Sequence, residues 1–203
     1  MKSLMRRRVA REAARLLYSH RVGEYKPAKD EAARRLGVTA LPSNFEVAVE
    51  LDHMADEVEG SGRAMLRVEL RREALAVMRH LQAFHPRLIG SVWRGTARQG
   101  SDIDLEVFCH DSDRVIHVLA AAYPLARLEH AAKTAAGDTE RYLHVHFALP
   151  SGHPVEVVQR GLEDLTTRRT CEIYGDAIVG LTLPQLRRLL AADPSKRFLP
   201  KER

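Results

Sequence analysis

The hydrophobic period of this chain changes at His85-Pro86, and that change limits the folds open to it. Before the break, apolar residues recur at helical spacing: Leu4, Val9, Ala13, Leu16 and Leu17 share one side of a stretch over 4–22. Met65, Leu66, Leu70, Leu75, Met78 and Leu81 do the same over 63–84. After the break the apolar runs are short and alternate, as in Asp102-Ile103-Asp104-Leu105-Glu106-Val107-Phe108. Helices come first, and strands with interspersed helices follow. The expectation is an α+β protein: a mixed β-sheet with flanking helices, preceded by an N-terminal helical region.

Local signals refine the helical half. Pro27 suits the first turn of a helix over 28–36, and Gly37 suits its end. Ser43 and Glu46 have capping-box spacing and open a helix to about residue 59. Gly60-Ser61-Gly62 reads as a linker, which sets a helical region at 1–60 against a second domain at 63–192, with 193–203 as a loose tail. In the second half, short strands are expected at 87–90, 102–109 and 125–128, and a helix capped by Asp111 or Ser112 to about 122. The Ala/Gly-rich stretch 131–139 reads as a mobile loop. Strands at 142–149 and 154–159 flank Pro150-Ser151-Gly152-His153 as a hairpin. Helices follow at 162–170 and, capped by Thr182, at 184–191.

The chain has 203 residues and a net charge of +5, unevenly distributed. Residues 1–35 carry eleven basic and four acidic side chains, a net +7, whereas 44–59 carry six acids and no Lys or Arg. Either these segments pack against each other, or the basic face meets nucleic acid. No apolar run is long enough to span a membrane, and the basic N-terminus lacks the apolar core of a secretory signal. Cys109 and Cys171 are too few for a disulfide framework and have no metal-ligand spacing. A cytoplasmic protein without a membrane partner is expected.

The chemistry concentrates between Gly90 and Phe108. Gly90-Ser91 ends an apolar run, and glycine lets a backbone approach a ligand closely. A short helix from Val92 would aim its free N–H groups at the same spot, with Arg94 and Arg98 adding charge. Asp102 and Asp104, at i and i+2 on a strand, share a face about 6.5–7 Å apart. Their repulsion calls for a hard divalent cation between them. Each part alone has an ordinary structural reading, a solvated turn or a solvated acid pair.

The combination is more specific. Gly-Ser, ten residues and Asp-Ile-Asp-Leu, with Arg94-Gly95-Thr96-Ala97 and Gly100-Ser101-Asp102 between, resembles the signature of the DNA polymerase β-like nucleotidyltransferase superfamily, in particular its small prokaryotic and archaeal predicted members. The resemblance is strongest over 87–108 and extends more weakly to about residue 160. It implies a nucleotidyltransferase-type sheet and an NTP substrate whose nucleoside monophosphate passes to an acceptor hydroxyl, on RNA or on a protein, with release of pyrophosphate. It implies Mg²⁺, or Mn²⁺, held by Asp102, Asp104 and a third carboxylate from a later strand. Glu156, the lone acid in Pro154-Val155-Glu156-Val157-Val158, is the candidate, as metal ligand or base. Gly90, Ser91, Arg94, Arg98 and Ser101 are then the candidate phosphate contacts. A catalytically weak nucleotide-binding regulatory module is the alternative.

Other residues are less defined by the pattern. Trp93 stands where the superfamily often has a small residue, and it either stacks on a base or fills core. Glu106 follows the aspartates by strand parity, as a fourth acid or a solvated side chain. His144 and His146 share a face of their strand; an even-sum pairing register puts them on Glu156's side and an odd one does not. His110, Lys133 and Arg141 are further candidates for substrate contact.

Overall fold

In the computed structural model the described residues are 2–135 and 138–200, with the side chains of Lys2 and of 131–141 excepted. The chain forms two compact units. Among the described residues, one comprises 2–63 and 169–177; the other takes 64–135, 138–168 and 178–200.

The first unit is helical. Helix α1 (Lys2–Tyr18) and helix α2 (Tyr25–Leu36) pack through small residues, with Val9, Ala10, Ala13, Ala14, Ala28 and Ala32 buried. Alanines let the helix axes approach closely, which suits a stretch so poor in aromatics. Gly37 ends α2 in the left-handed region at φ 64°, returning its N–H to Arg34 O at 3.3 Å. Ser43 and Glu46 close the expected capping box: Glu46 N donates to Ser43 Oγ at 3.1 Å and Ser43 N to Glu46 Oε2 at 2.7 Å.

The charge asymmetry resolves in part within this unit. Arg6 pairs with Glu46 at 2.6 Å and Arg7 with Glu50 at 3.1 Å. Buried Arg63 takes Asp52 at 2.7 Å and Asp56 at 2.6 Å. Glu46, Glu50, Asp52 and Asp56 therefore serve as counter-charges within their own unit.

Helix α3 (Asn44–His80) is two helices merged across a kink at Gly60, inside the stretch Gly60-Ser61-Gly62 that reads as a linker. The helix is interrupted at Gly60, with φ 54° and ψ −137°, and resumes at once. Only one residue leaves the helical region, and it is the residue type that tolerates the conformation.

The second unit is built on a six-stranded mixed sheet, so the expected α+β class is found. The strands are β1 (Arg87–Leu88), β2 (Ile103–Phe108), β3 (Leu125–Ala135), β4 (Asp138–Ala148), β5 (Pro154–Arg160) and β6 (Leu181–Thr182). Their order is β3-β4-β5-β2-β1-β6. Only β2 and β5 pair in parallel, while the other neighbours are antiparallel. Helices α4 (Gly90–Arg94), α5 (Ser112–Ala122) and α6 (Leu183–Ala192) complete the unit.

One face of the sheet is the core. Ile103, Leu105 and Val107 of β2, Val155 and Val157 of β5, and Leu143, Val145 and Phe147 of β4 are buried there. They meet Leu70, Ala74 and Met78 of α3, Val115 and Leu119 of α5, and Leu186 and Leu189 of α6. Alternation then sends Asp104, Glu106, Glu156, His144 and His146 to the opposite face.

Four expectations are corrected here. Residues 131–135 and 138–139 are paired strand, in register Ala135↔Asp138, not loop; only 136–137 fall outside the described residues. The helix expected over 162–170 is a single 3-10 turn at Leu162–Leu165. The strand expected over 87–90 stops at Leu88, because Gly90 already begins α4. The tail, expected to be loose, is tied back to the unit through residues 194–198. Arg67 donates to Ser195 O at 2.9 Å, Arg71 to Pro194 O at 2.8 Å, and Phe198 N to Arg94 O at 2.8 Å.

Candidate active site

The Gly90 corner is built by a helix that begins earlier than Val92. Ile89 is the N-cap and Gly90 the first residue of the five-residue α4. Gly95 closes the helix in the left-handed region at φ 76°, its N–H donating to Ser91 O at 2.9 Å. The backbone of Ile89 is tied to β2 by its N–H, which donates to Asp104 O at 2.9 Å. This bond holds the corner against the aspartate strand.

Gly90 is required there for two reasons. Its φ of 66° lies in the left-handed region, and a Cβ on it would stand 1.9 Å from Asp104 Oδ2. The Asp104 carboxylate thus occupies the space that any other side chain would need.

Buried Arg71 fixes the far end of α4. Its guanidinium donates to Val92 O at 3.1 Å, Trp93 O at 2.9 Å and Pro194 O at 2.8 Å. Burial, with the nearby charge of Arg67, lowers its pKa to about 10, so it stays a cation at neutral pH. Sequence pattern alone did not single out Arg71, because an arginine within an amphipathic helix gives no sign of which carbonyls it will meet.

The strands that carry the acids, β2 and β5, are the parallel pair. Asp104 of β2 stands opposite Glu156 of β5 in the register. The partly buried Asp104 carboxyl is pushed up to about 8 by desolvation, and then by the negative charges of Asp102, Glu156 and Glu106. Asp102 is exposed at the strand's start. Among the described residues no cationic side chain forms an ion pair with Asp102 or Asp104. Glu106 is not the solvated residue the parity reading allowed: it is fully buried and paired with Arg160 Nε at 2.7 Å.

The β4–β5 register has an even sum, with His146 opposite Glu156 and His144 opposite Val158. Both imidazoles therefore lie on Glu156's side of the sheet. His144 Nδ1 is 2.6 Å from Glu156 Oε1, and His146 Nε2 is 3.8 Å from the same oxygen. The ligand atoms of His144, His146 and Glu156 lie within 4.8 Å of one another. Asp102, Asp104 and Glu156 do not close to that separation as a trio.

The candidate phosphate contacts divide. Ser91 is partly exposed beside Gly90. Arg94 is buried and turned to the chain itself, with its guanidinium 3.3 Å from Phe198 O and over the Trp93 ring at 4.5 Å. Ser101 Oγ accepts from Arg98 N at 3.0 Å and so closes its own turn. Arg98 is partly exposed and donates to Gln99 O at 3.4 Å. Trp93 is buried in the core, which answers the choice between stacking platform and filler. His110 is exposed, 3.7 Å from Glu163. The side chains of Lys133 and Arg141 lie outside the described residues.

No protein-family model and no curated protein matches the sequence. Among solved structures, a chain from the structure of the GLD-2/RNP-8 complex aligns with 60% of this chain and 44% of its own length, at 13% identity and a TM-score of 0.35. The match thus spans less than half of that chain. No helix among the described residues is long and apolar enough to cross a membrane.

Proposed function

We propose that this protein is a metal-dependent nucleotidyltransferase, which moves a nucleoside monophosphate from an NTP to an acceptor hydroxyl and releases pyrophosphate. The observation that carries the reading is the Asp104–Glu156 pairing across β2 and β5, with Asp102's charge felt at Asp104 and Gly90 abutting the Asp104 carboxylate. This arrangement falls on the residues through which the sequence resembles the DNA polymerase β-like superfamily.

The charge at Asp104, rather than a closed donor cluster, supports a hard dication here. Three negative charges act on one partly buried carboxyl, and among the described residues no protein cation pairs with Asp102 or Asp104. All-oxygen donors suit Mg²⁺ or Mn²⁺. Asp102, Asp104 and Glu156 would hold the ion, which when bound neutralises triphosphate charge and favours departure of pyrophosphate.

The chain's own groups supply the rest. Ser91 and the Gly90 backbone border the face that receives the triphosphate. Glu156 accepts the acceptor hydroxyl's proton as its oxygen attacks the α-phosphorus in line with the departing pyrophosphate. His144, hydrogen-bonded to Glu156, orients that carboxylate. The acceptor is an RNA or a protein hydroxyl. An NTP labelled at the α-phosphate, incubated with Mg²⁺ and a cell extract of the source organism, tests this. Label retained on RNA or protein, with pyrophosphate released, supports the reading. NTP binding without pyrophosphate release points to a regulatory module instead.

A further inference from the structure

We propose that His144, His146 and Glu156 form a binding site for a first-row transition-metal dication of the Zn²⁺ class, set apart by its imidazole donors from the carboxylate site with which it shares Glu156.

Three observations converge. First, strand geometry places His144 and His146 at i and i+2, so their rings project from the same face, 6.4 Å apart and inclined by only 17°. Second, β5 brings Glu156 opposite His146, and the donor atoms of all three residues gather within 4.8 Å. Third, His146 Nε2 is shielded from solvent and, among the described residues, has no hydrogen-bond partner. It stands 3.8 Å from Glu156 Oε1 and 3.8 Å from Glu129 Oε2, too far for a hydrogen bond to either. A buried ring nitrogen within 4 Å of two carboxylate oxygens and bonded to neither has the position of a metal ligand.

The donor set selects the metal. Mg²⁺ prefers oxygen donors and gains little from imidazole, whereas two imidazoles and a carboxylate suit Zn²⁺, Co²⁺ or Mn²⁺. Zinc bonds of about 2.0–2.2 Å to each donor would draw His146 inward and part the His144–Glu156 contact. Three protein ligands leave a coordination position for Glu129 or water. Glu156 is then shared with the carboxylate face through Asp104, its neighbour in register.

Metal-free protein titrated with Co²⁺, followed by its visible d–d absorption and competed with Zn²⁺, tests the site without any assay of activity. Wild type is expected to bind one equivalent with a tetrahedral-type spectrum, and Zn²⁺ to bleach it. The His144→Ala/His146→Ala protein is expected to lose that spectrum, while Asp104→Asn retains it. Circular dichroism of the metal-free variants checks folding, and His144→Gln/His146→Gln replaces the alanine pair if that pair fails to fold. Absence of Co²⁺ binding by wild type overturns the proposal, as does binding that survives loss of both histidines. Binding abolished by Asp104→Asn but kept by the histidine variants also overturns it and places the ion at the aspartates. Because the readout is metal occupancy, this inference can fail while nucleotidyl transfer stands, and the reverse.

Discussion

Gly90 and Asp104 share one volume: the Asp104 carboxylate fills the place where a side chain at position 90 would begin, 1.9 Å from its Cβ. Gly90→Ala must therefore both strain a backbone at φ 66° and displace Asp104. The strain alone costs about 1–2 kcal/mol. The expected outcome is a folded protein, less stable by at least that amount in urea titration, with kcat for nucleotidyl transfer reduced about a hundredfold or more.

Asp104 should trade stability for function. Its folded pKa of about 8 exceeds the unfolded value of about 4, so the folded chain keeps a proton that the unfolded chain has released. The metal-free protein therefore loses stability as pH rises through that window, by at most about 1.4 kcal/mol per pH unit. Asp104→Asn removes the penalty. Thermal unfolding without metal should show the variant more stable than wild type at pH 8, the two converging toward pH 4, while transfer activity is lost.

Metal addition gives the complementary result. At pH 8 Mg²⁺ should raise the Tm of wild type, because a dication relieves repulsion that neighbouring carboxylates otherwise resolve by holding a proton. The same addition should leave the Tm of Asp104→Asn nearly unchanged.

Arg71 is the prediction furthest from the chemistry. Arg71→Ala strips partners from the carbonyls of Val92, Trp93 and Pro194. It should destabilise by about 3 kcal/mol or more, since buried hydrogen bonds to a charged group contribute about 1.5–3 kcal/mol each. Arg71→Lys keeps a cation but cannot span three carbonyls, so it should recover only part of the loss. Chemical denaturation of both variants measures this.

Much of the second unit was legible because its signals are local. Period-two alternation located β2 and β5, and the Gly-Ser and Asp-Ile-Asp spacing located the corner and the acids. What stayed hidden depends on contacts between distant residues. The β4–β5 register could not be read from Pro150-Ser151-Gly152-His153, and only that register brings His144 to Glu156. Glu106 looked solvated because its counter-ion, Arg160, sits on another strand. Arg94 reads as a phosphate contact because arginine beside Gly-Ser is charged and near; that its guanidinium also approaches the Phe198 carbonyl, over a hundred positions away, gave no local signal. The stretch 131–139 read as loop from its Ala and Gly content, yet cross-strand pairing holds 131–135 and 138–139 as strand.

The most direct test compares wild type with the Asp102→Asn/Asp104→Asn protein. Both are supplied with Mg²⁺, NTP labelled at the α-phosphate and the same cell extract, and pyrophosphate release is measured beside label retained on macromolecules. The account predicts both signals from wild type and neither above background from the folded double variant. Equal transfer by the two proteins would contradict it.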